Sequence, residues 1–506
     1  METDPYSFWF CTGIILIAIS ILSRLRVIPA FMDVALLMLG TFCIGVWSIS
    51  VDPFLHGWDE RFHALVAQNM LENPFRPTLF KENIISRANY SEWWTAHIWM
   101  HKGPLFSWQM GLCIWLLGKS VLTMRLASVF MVMLIVYSGY RSARIFFPKI
   151  AFTVGLILSL QPFLYLFASG RIGMDHNDLA FTAYIGASFW AWCEYLNSGR
   201  QKWVIWIAVA TACAILTKWF AGSLIYCMWG LYILLFEIRS VKQWRALVIS
   251  VAVCAFITGS WFTYCYLNFR DVLVKEWELN GSSHLFKLLD GHVSEWYFHF
   301  KTWFEHLLPI VFFFIAGIFF TFKSKDVFFK KIALVTVIAL VLCMTVFSIA
   351  KTRMPGYTMI LIVPATLIAS CGLNGLLTRS HKKWFLRTGI LVIALASVFY
   401  LRLRFSHFRP KGAYRVYQIA LNNFYSDLGN KLPQNSVIFN TPQMEFVDVM
   451  FYSDRVAYEK IPTPEDIEEM ESKGYEPVII LDSTFTHEEY EAQEYLSKYK
   501  VYQWPY

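Results

Sequence analysis

Apolar runs of roughly 20 residues, each about the length needed to cross a bilayer, recur along the first four-fifths of this 506-residue chain and are separated by short basic loops. Such runs leave little choice of fold. With 57% hydrophobic and 16% charged residues, the chain lies well above the roughly 45–50% apolar content of soluble domains. The sequence therefore reads as an all-α polytopic membrane bundle.

About 12 spans of membrane length are expected, near 7–23, 30–50, 121–140, 151–168, 178–196, 203–217, 219–236, 246–267, 307–322, 332–350, 357–376 and 387–402. Alternate connections carry clustered cations, among them Arg141/Arg144/Lys149, Lys323/Lys325/Lys330/Lys331 and Arg379/Lys382/Lys383/Arg387. Positive loops face the cytoplasm. The external side then receives loops 51–120 and 268–306, the short loops 169–177 and 351–356, and the C-terminal part of the chain. The apolar but short segment 104–118 is expected to lie at the interface, because a span there would invert everything downstream.

Residues 410–506 hold 16 Asp/Glu against 8 Lys/Arg, although the whole chain carries a net charge of +8. That reversal of sign marks a boundary. We expect a transmembrane domain over 1–403 and a soluble, extracytoplasmic α/β domain over 404–506, with strands at Ser436–Asn440, Arg455–Glu459, Pro477–Asp482 and Lys500–Gln503. Helix-like stretches near 414–430, 464–473 and 487–497 alternate with them, a pattern that favours parallel pairing. The tail has no glycine-rich phosphate loop. The acidic N-terminus has no small-residue cleavage site after the first apolar run, so that run is expected to stay as a helix. All ten cysteines fall in apolar segments, which suggests neither a disulfide framework nor a cysteine metal site.

The candidate chemistry lies in the external loops. Asp59-Glu60 stands just past the second span, and acids at a membrane boundary are kept for ions, substrates or catalysis. Asp59 has the chemistry of a general base and Lys102, at the end of the same loop, that of a phosphate partner. A loop salt bridge would account for the same acids. Asp175 and Asp178 follow the fourth span, where capping of the next helix is the plainer role. Lys351 and Arg353 flank a proline and a glycine in the last external turn, placed either to snorkel or to clamp a phosphate. Lys218, between two short spans, has the same two readings. A histidine of loop 268–306, with His101 as a second nitrogen ligand, is a candidate for a divalent-metal site.

These elements, in order, resemble the C-type membrane glycosyltransferases, in the branch with lipid A aminoarabinose transferase and the protein O-mannosyltransferases. The resemblance rests on Asp59-Glu60 with Ala64, Ala67 and Met70; His101-Lys102-Gly103-Pro104-Leu105 in place of Lys-Pro-Pro-Leu; Arg125-Leu126; the loop from Arg171 to Asp175; Leu216-Thr217-Lys218; Asp290-Gly291-His292; and Lys351-x-Arg353-x-Pro355-x-Tyr357. It implies a glycosyltransferase, hexosyl or pentosyl, that moves a sugar from a polyprenyl-phosphate carrier to a lipid, glycan or protein on the outer face of a bacterial inner membrane. Lipid A modification and protein glycosylation are the corresponding processes.

The resemblance makes Asp59 the catalytic base, with Glu60 and Asp175 supporting the site. It assigns Lys102, Lys351, Arg353 and Lys218 to the carrier phosphate, and His101 and His292 to a divalent metal (Zn, Mg or Mn). No nucleic acid is involved. Three positions depart from the family pattern. An arginine expected three residues after the aspartate falls on Phe62, with Arg61 one step earlier; His101 stands where the aminoarabinose enzymes have Glu; and Gly103 replaces the first proline.

A transporter or flippase is the rival of another class, since helices with intramembrane charge also suit transport. Its usual signature is an inverted repeat with polar residues at mid-membrane. No internal repeat is evident, and the charges gather at one face. A membrane scaffold whose acidic tail binds a partner is a second rival.

Overall fold

The computed structural model describes residues 7–25, 32–85, 93–172, 176–278, 286–288, 293–377, 383–410, 412–442, 444–483 and 485–504. Two compact units divide the chain. The first comprises Met1–Val51, Lys102–Phe106 and Arg125–Arg409; the second comprises Asp52–His101, Ser107–Met124 and Pro410–Tyr506.

The first unit is helical. Eight helices of the described residues are long and apolar enough to cross a membrane, and ten if each of two bent pairs counts as one span. The expectation of about 12 differs at two places. His176–Ser198 has membrane length, at 23 residues, but its His, Asp, Glu and Asn side chains keep it out of that set. The stretch Gln201–Phe236 is counted once over 36 residues, whereas the sequence divides it at Lys218.

The local geometry favours the division. Helix Gln201–Lys218 is followed by a 3-10 turn over Trp219–Ser223 and then by helix Leu224–Phe236. A Cβ placed on Gly222 would lie 2.7 Å from the Ile215 nitrogen, although seven residues of continuous helix span about 10 Å. The chain has therefore turned back, and Lys218 sits at the turn.

The bent pairs break where prolines interrupt the hydrogen-bond ladder. Ala151–Ser159 meets Pro162–Ala168 at 46°, and Phe298–His306 meets Ile310–Lys323 at 107°. Burial separates central from peripheral helices: 83% of the apolar window in Pro355–Leu377 is buried, against 22% in Trp384–His407. The latter presents mostly aliphatic and aromatic side chains outward, as a lipid-facing helix must.

In the second unit, β1 (Ser436–Phe439), β2 (Val456–Ala457), β3 (Glu476–Leu481) and β4 (Lys500–Gln503) form one sheet in the order β2-β1-β3-β4. Every pairing is parallel, with Val437 opposite Val456 and Pro477, and Val478 opposite Lys500. β1 is buried at all four positions and β3 at five of six. Such near-continuous apolar strands are characteristic of parallel sheets covered on both faces.

Helices Gly412–Lys431, Pro464–Ser472 and His487–Glu491 connect and cover the strands. A capping box between Thr463 and Asp466, with Pro464 at the first helical position, fixes the start of the second. Helix Phe446–Ser453 is an addition to the expected elements. The same unit includes the segment after the second span. Phe80 of that segment stacks on both Phe446 and Tyr458, with ring centroids 5.7 and 5.4 Å apart, and Arg415 pairs with the buried Asp52.

Segment 104–118 contains helix Pro104–Leu117, 14 residues long. At about 1.5 Å per residue it is too short to span, and Leu112, Trp115, Leu116 and Leu117 are exposed. Both observations suit an interfacial helix.

Candidate active site

Asp59 opens helix Asp59–Asn69, with Glu60 beside it in the first turn. Acids there gain from the unpaired amides and the positive end of the helix dipole. The residue before the helix, Trp58, has φ of +75°, a conformation that non-glycine residues adopt at a cost and that structures keep where it serves a purpose. Asp59 is half-buried. Glu60 is 3% exposed, and its Oε2 accepts the His56 backbone N–H at 2.5 Å, closing the turn that leads into the helix.

Arg61 reaches a helix of the tail. Its Nη1 pairs with Asp448 Oδ2 at 2.9 Å and donates to the Met444 carbonyl at 3.0 Å. Asp448 is lifted to about 7, chiefly by burial, against the opposing pull of Arg61 and with the added push of Glu445 and Glu60. Tyr425 donates to Glu445 at 3.0 Å. Sequence reading missed Asp448 entirely. Its only trace was a lone acid in an apolar run, Phe446-Val447-Asp448-Val449, a placement that usually means a partner.

His101 is 6% exposed and stacks on Trp93, with centroids 4.5 Å apart and planes 14° apart. Trp99 lies 5.9 Å away, edge-on. Among the described residues, no three His, Cys, Asp or Glu side chains are grouped to hold a metal. His292, the other expected ligand, and Asp175 both lie outside the described residues. Among the described residues, His101 packs against the Trp93 and Trp99 indoles.

In the first unit, Lys218 ion-pairs with Asp178 of helix His176–Ser198. Its Nζ also lies 5.8 Å from the centre of the Tyr357 ring. Asp178 stands in the first turn of that helix, and its contact with Lys218 crosses 40 residues of sequence. His176, fully buried, has Nδ1 2.7 Å from Ser128 Oγ, which ties the start of that helix to its neighbour.

Gly103 shows why a proline is unsuitable at its position. Its N–H donates to the Thr217 carbonyl at 3.1 Å, a bond that proline cannot make. A Cβ there would fall 1.9 Å from the Leu216 oxygen. Lys102 and Lys218, each adjacent to one partner of this contact, are thereby held on neighbouring strands of backbone.

Arg353 does not present the clamp expected of it. Its Nε and Nη2 donate to the Ser348 carbonyl at 3.1 and 2.9 Å, and Nη1 donates to the Ser294 carbonyl. With these bonds to backbone carbonyls it shapes the loop. Lys351, by contrast, is exposed. Thr352 reinforces the loop through the Lys287 carbonyl at 2.9 Å.

The model of the dolichyl-phosphate-mannose-protein mannosyltransferase family matches residues 101–261. Two solved proteins share the fold. ArnT from Cupriavidus metallidurans, crystallised with undecaprenyl phosphate, aligns with a TM-score of 0.63 at 15% identity over 94% of this chain and 90% of its own. The chain has an ArnT-like fold. It resembles the C-type membrane glycosyltransferases, in the aminoarabinose-transferase and protein-mannosyltransferase branch.

An oligosaccharyltransferase from Archaeoglobus fulgidus, in a complex with zinc and sulfate, aligns more loosely, with a TM-score of 0.52 at 12% identity over 84% of this chain and 62% of that one. A protein of Aquifex aeolicus, described as uncharacterized, is 25% identical over 366 residues, which are 68% of this chain and 65% of that protein's length. The chain thus spans just under two thirds of that relative. Within the ArnT-like fold, the family-model match begins at His101 and takes in Gly103, Asp178 and Lys218. Asp59, Lys351 and Arg353 lie outside it.

Proposed function

We propose that this chain is a membrane glycosyltransferase that takes one sugar, hexose or pentose, from a polyprenyl-phosphate carrier. The acceptor is a lipid such as lipid A, a glycan or a protein, on the outer face of a bacterial inner membrane. The observation that carries the proposal is the ArnT-like fold over 94% of the chain, with Lys218 held by buried Asp178 inside the matched segment.

In the proposed reaction the acceptor oxygen or nitrogen attacks the anomeric carbon of the sugar as the bond from that carbon to the phosphate oxygen breaks. The acceptor's proton passes to Asp59. The carrier leaves as polyprenyl phosphate, and the configuration at the anomeric carbon inverts. Because the leaving group is already a phosphate, neutralising its charge contributes more than protonating it. Lys102, Lys218 and Lys351 supply that charge. An ammonium has three donors, so Lys218 can hold Asp178 and still donate to a phosphate oxygen. Arg353 shapes the loop that carries Lys351.

The test uses the purified chain in liposomes, with polyprenyl-phosphate sugars offered singly and envelope lipids, glycans or proteins as acceptors. Label appearing in one acceptor class from one donor identifies both. No transfer from any carrier, with donor-independent passage of lipid between leaflets instead, would replace the enzyme with a flippase.

A further inference from the structure

The Asp59 helix is braced from the tail. Arg61 lies two residues after Asp59, and its guanidinium reaches in two directions. Nη1 meets Asp448 and the Met444 carbonyl at 2.9 and 3.0 Å. Nη2 lies 3.2 Å from where a Cβ on Gly57 would stand, so the same group packs against the turn that precedes Asp59. Between Gly57 and Asp59 stands Trp58, at φ of +75°. A turn in that conformation persists only where its surroundings over-determine it, and the Arg61 guanidinium is one such constraint.

The partner is built to hold. Asp448 is 5% exposed and lies in helix Phe446–Ser453, whose core residues Phe446, Val447, Val449 and Phe451 are at most 2% exposed. Every element packed against Asp448 contributes to its charge environment. Helix Asp59–Asn69 gives Glu60 and Arg61, the segment before helix Phe446–Ser453 gives Glu445, and helix Gly412–Lys431 gives Tyr414 and Tyr425, with Tyr417 beside Tyr425. β2 is Val456–Ala457 and brings no charge. Glu459 accepts the Met444 N–H, which fixes the carbonyl that Arg61 uses. Two acids, Asp448 and Glu445, therefore act on one guanidinium, and Glu60 acts on Asp448 in turn.

We infer that Asp448 is a positioning residue for Asp59, acting through Arg61 to hold the Gly57–Trp58 turn and, with it, the direction of the Asp59 carboxylate. This rests on the proposed role of Asp59 and adds to it a tail residue nearly 400 positions away. Protonation of Asp448 removes the charge that holds Arg61, and burial with two neighbouring acids sets that step at about 7. The brace is therefore firm above neutral pH and loosens below it. A misplacement of about 1 Å is enough to lower a rate about 10²-fold, so a loosened turn shows in turnover before it shows in binding.

The experiment compares wild type, Asp448→Asn and Asp448→Glu, all full-length in liposomes. Transfer is measured across neutral pH, with hydrogen exchange of the peptides covering 56–69 measured in parallel at matched intrinsic rates. Expected for Asp448→Asn is a kcat lowered roughly 10-fold to 100-fold, with donor KM within about twofold. Its pH profile lacks the wild-type step near neutrality, and exchange in 56–69 is raised and indifferent to pH. Asp448→Glu restores part of the step.

Wild-type kcat with an unchanged step in Asp448→Asn would overturn the inference, and so would a loss explained wholly by a smaller folded fraction. If the wild type transfers no sugar, the proposed function fails, and exchange alone decides the brace. A neutral-pH step in 56–69 that Asp448→Asn abolishes upholds it, and a step that survives the substitution rejects it.

Discussion

Two charged clusters, one in each unit, handle burial in opposite ways. In the helical unit an acid meets a base, as Asp178 pairs with Lys218 at side-chain exposures of 7% and 20%. In the tail-containing unit Arg61 meets Asp448 and Glu445, and Glu60 acts on Asp448 as well. The first pair depends on both members, because removing either takes the opposite charge from a group held away from water. In the second, burial and crowded acids raise Asp448 and make the cluster sensitive to protons. A phosphate site benefits from a cation of fixed charge, whereas a brace can yield.

The largest expected effect separates Asp59 from both clusters. Asp59→Asn should lower transfer by about 10²- to 10⁴-fold, the usual contribution of a general base, with insertion, elution volume and melting temperature near wild type. A residual rate close to wild type would remove Asp59 from the reaction and leave the clusters as supports of something else.

Lys218→Met comes next. It should cost about 3–5 kcal/mol, as expected when one partner of a buried pair is removed, and Lys218→Met combined with Asp178→Asn should recover much of that loss in thermal unfolding. Asp448→Asn should cost less, below about 3 kcal/mol, because Glu445 still acts on Arg61. Equal costs at the two sites would erase the contrast between a balanced and an acid-rich cluster.

A third prediction follows from proton linkage. Asp448 is raised from 3.8 to about 7, so between these values the folded chain keeps a proton that the unfolded chain has released. Its contribution to stability is present below about pH 4 and is lost as pH rises through 7, with a limiting slope of about 1.4 kcal/mol per pH unit. The difference in melting temperature between wild type and Asp448→Asn should follow that curve. A difference independent of pH would place the titrating proton on another group.

The smallest effect belongs to exposed Lys351. Lys351→Ala should change stability by no more than about 0.5 kcal/mol while raising donor KM, both read from one purified preparation.

What could be read from the sequence depended on range. β1, β3 and β4 fall where short apolar runs are bounded by turn residues, and their parallel pairing follows from the helices between them. Helix Phe446–Ser453 escaped because seven of its eight residues are buried, which erases the periodicity that marks a surface helix. The bends after Ser159 and His306 have prolines as local cause, yet the angle of each break is set by packing. Lys218 was legible as a charge at a turn and Asp178 as an acid at a helix start, but their pairing was not. Arg61 read as a displaced family arginine until Asp448, far along the chain, gave it a second end. The role expected of Arg353 changed for the same reason, since carbonyls at Ser348 and Ser294 cannot be assigned from residue type.

The central claim is that sugar leaves a polyprenyl phosphate for an acceptor with Asp59 as base. The most direct measurement quantifies glycosylated acceptor and released polyprenyl phosphate together, by mass spectrometry, for wild type and Asp59→Asn in the same liposomes. The account predicts equal molar amounts of both products from wild type, and about 1% or less of both from Asp59→Asn although that variant still binds the donor. Released carrier without glycosylated acceptor, or equal product from both proteins, would contradict it.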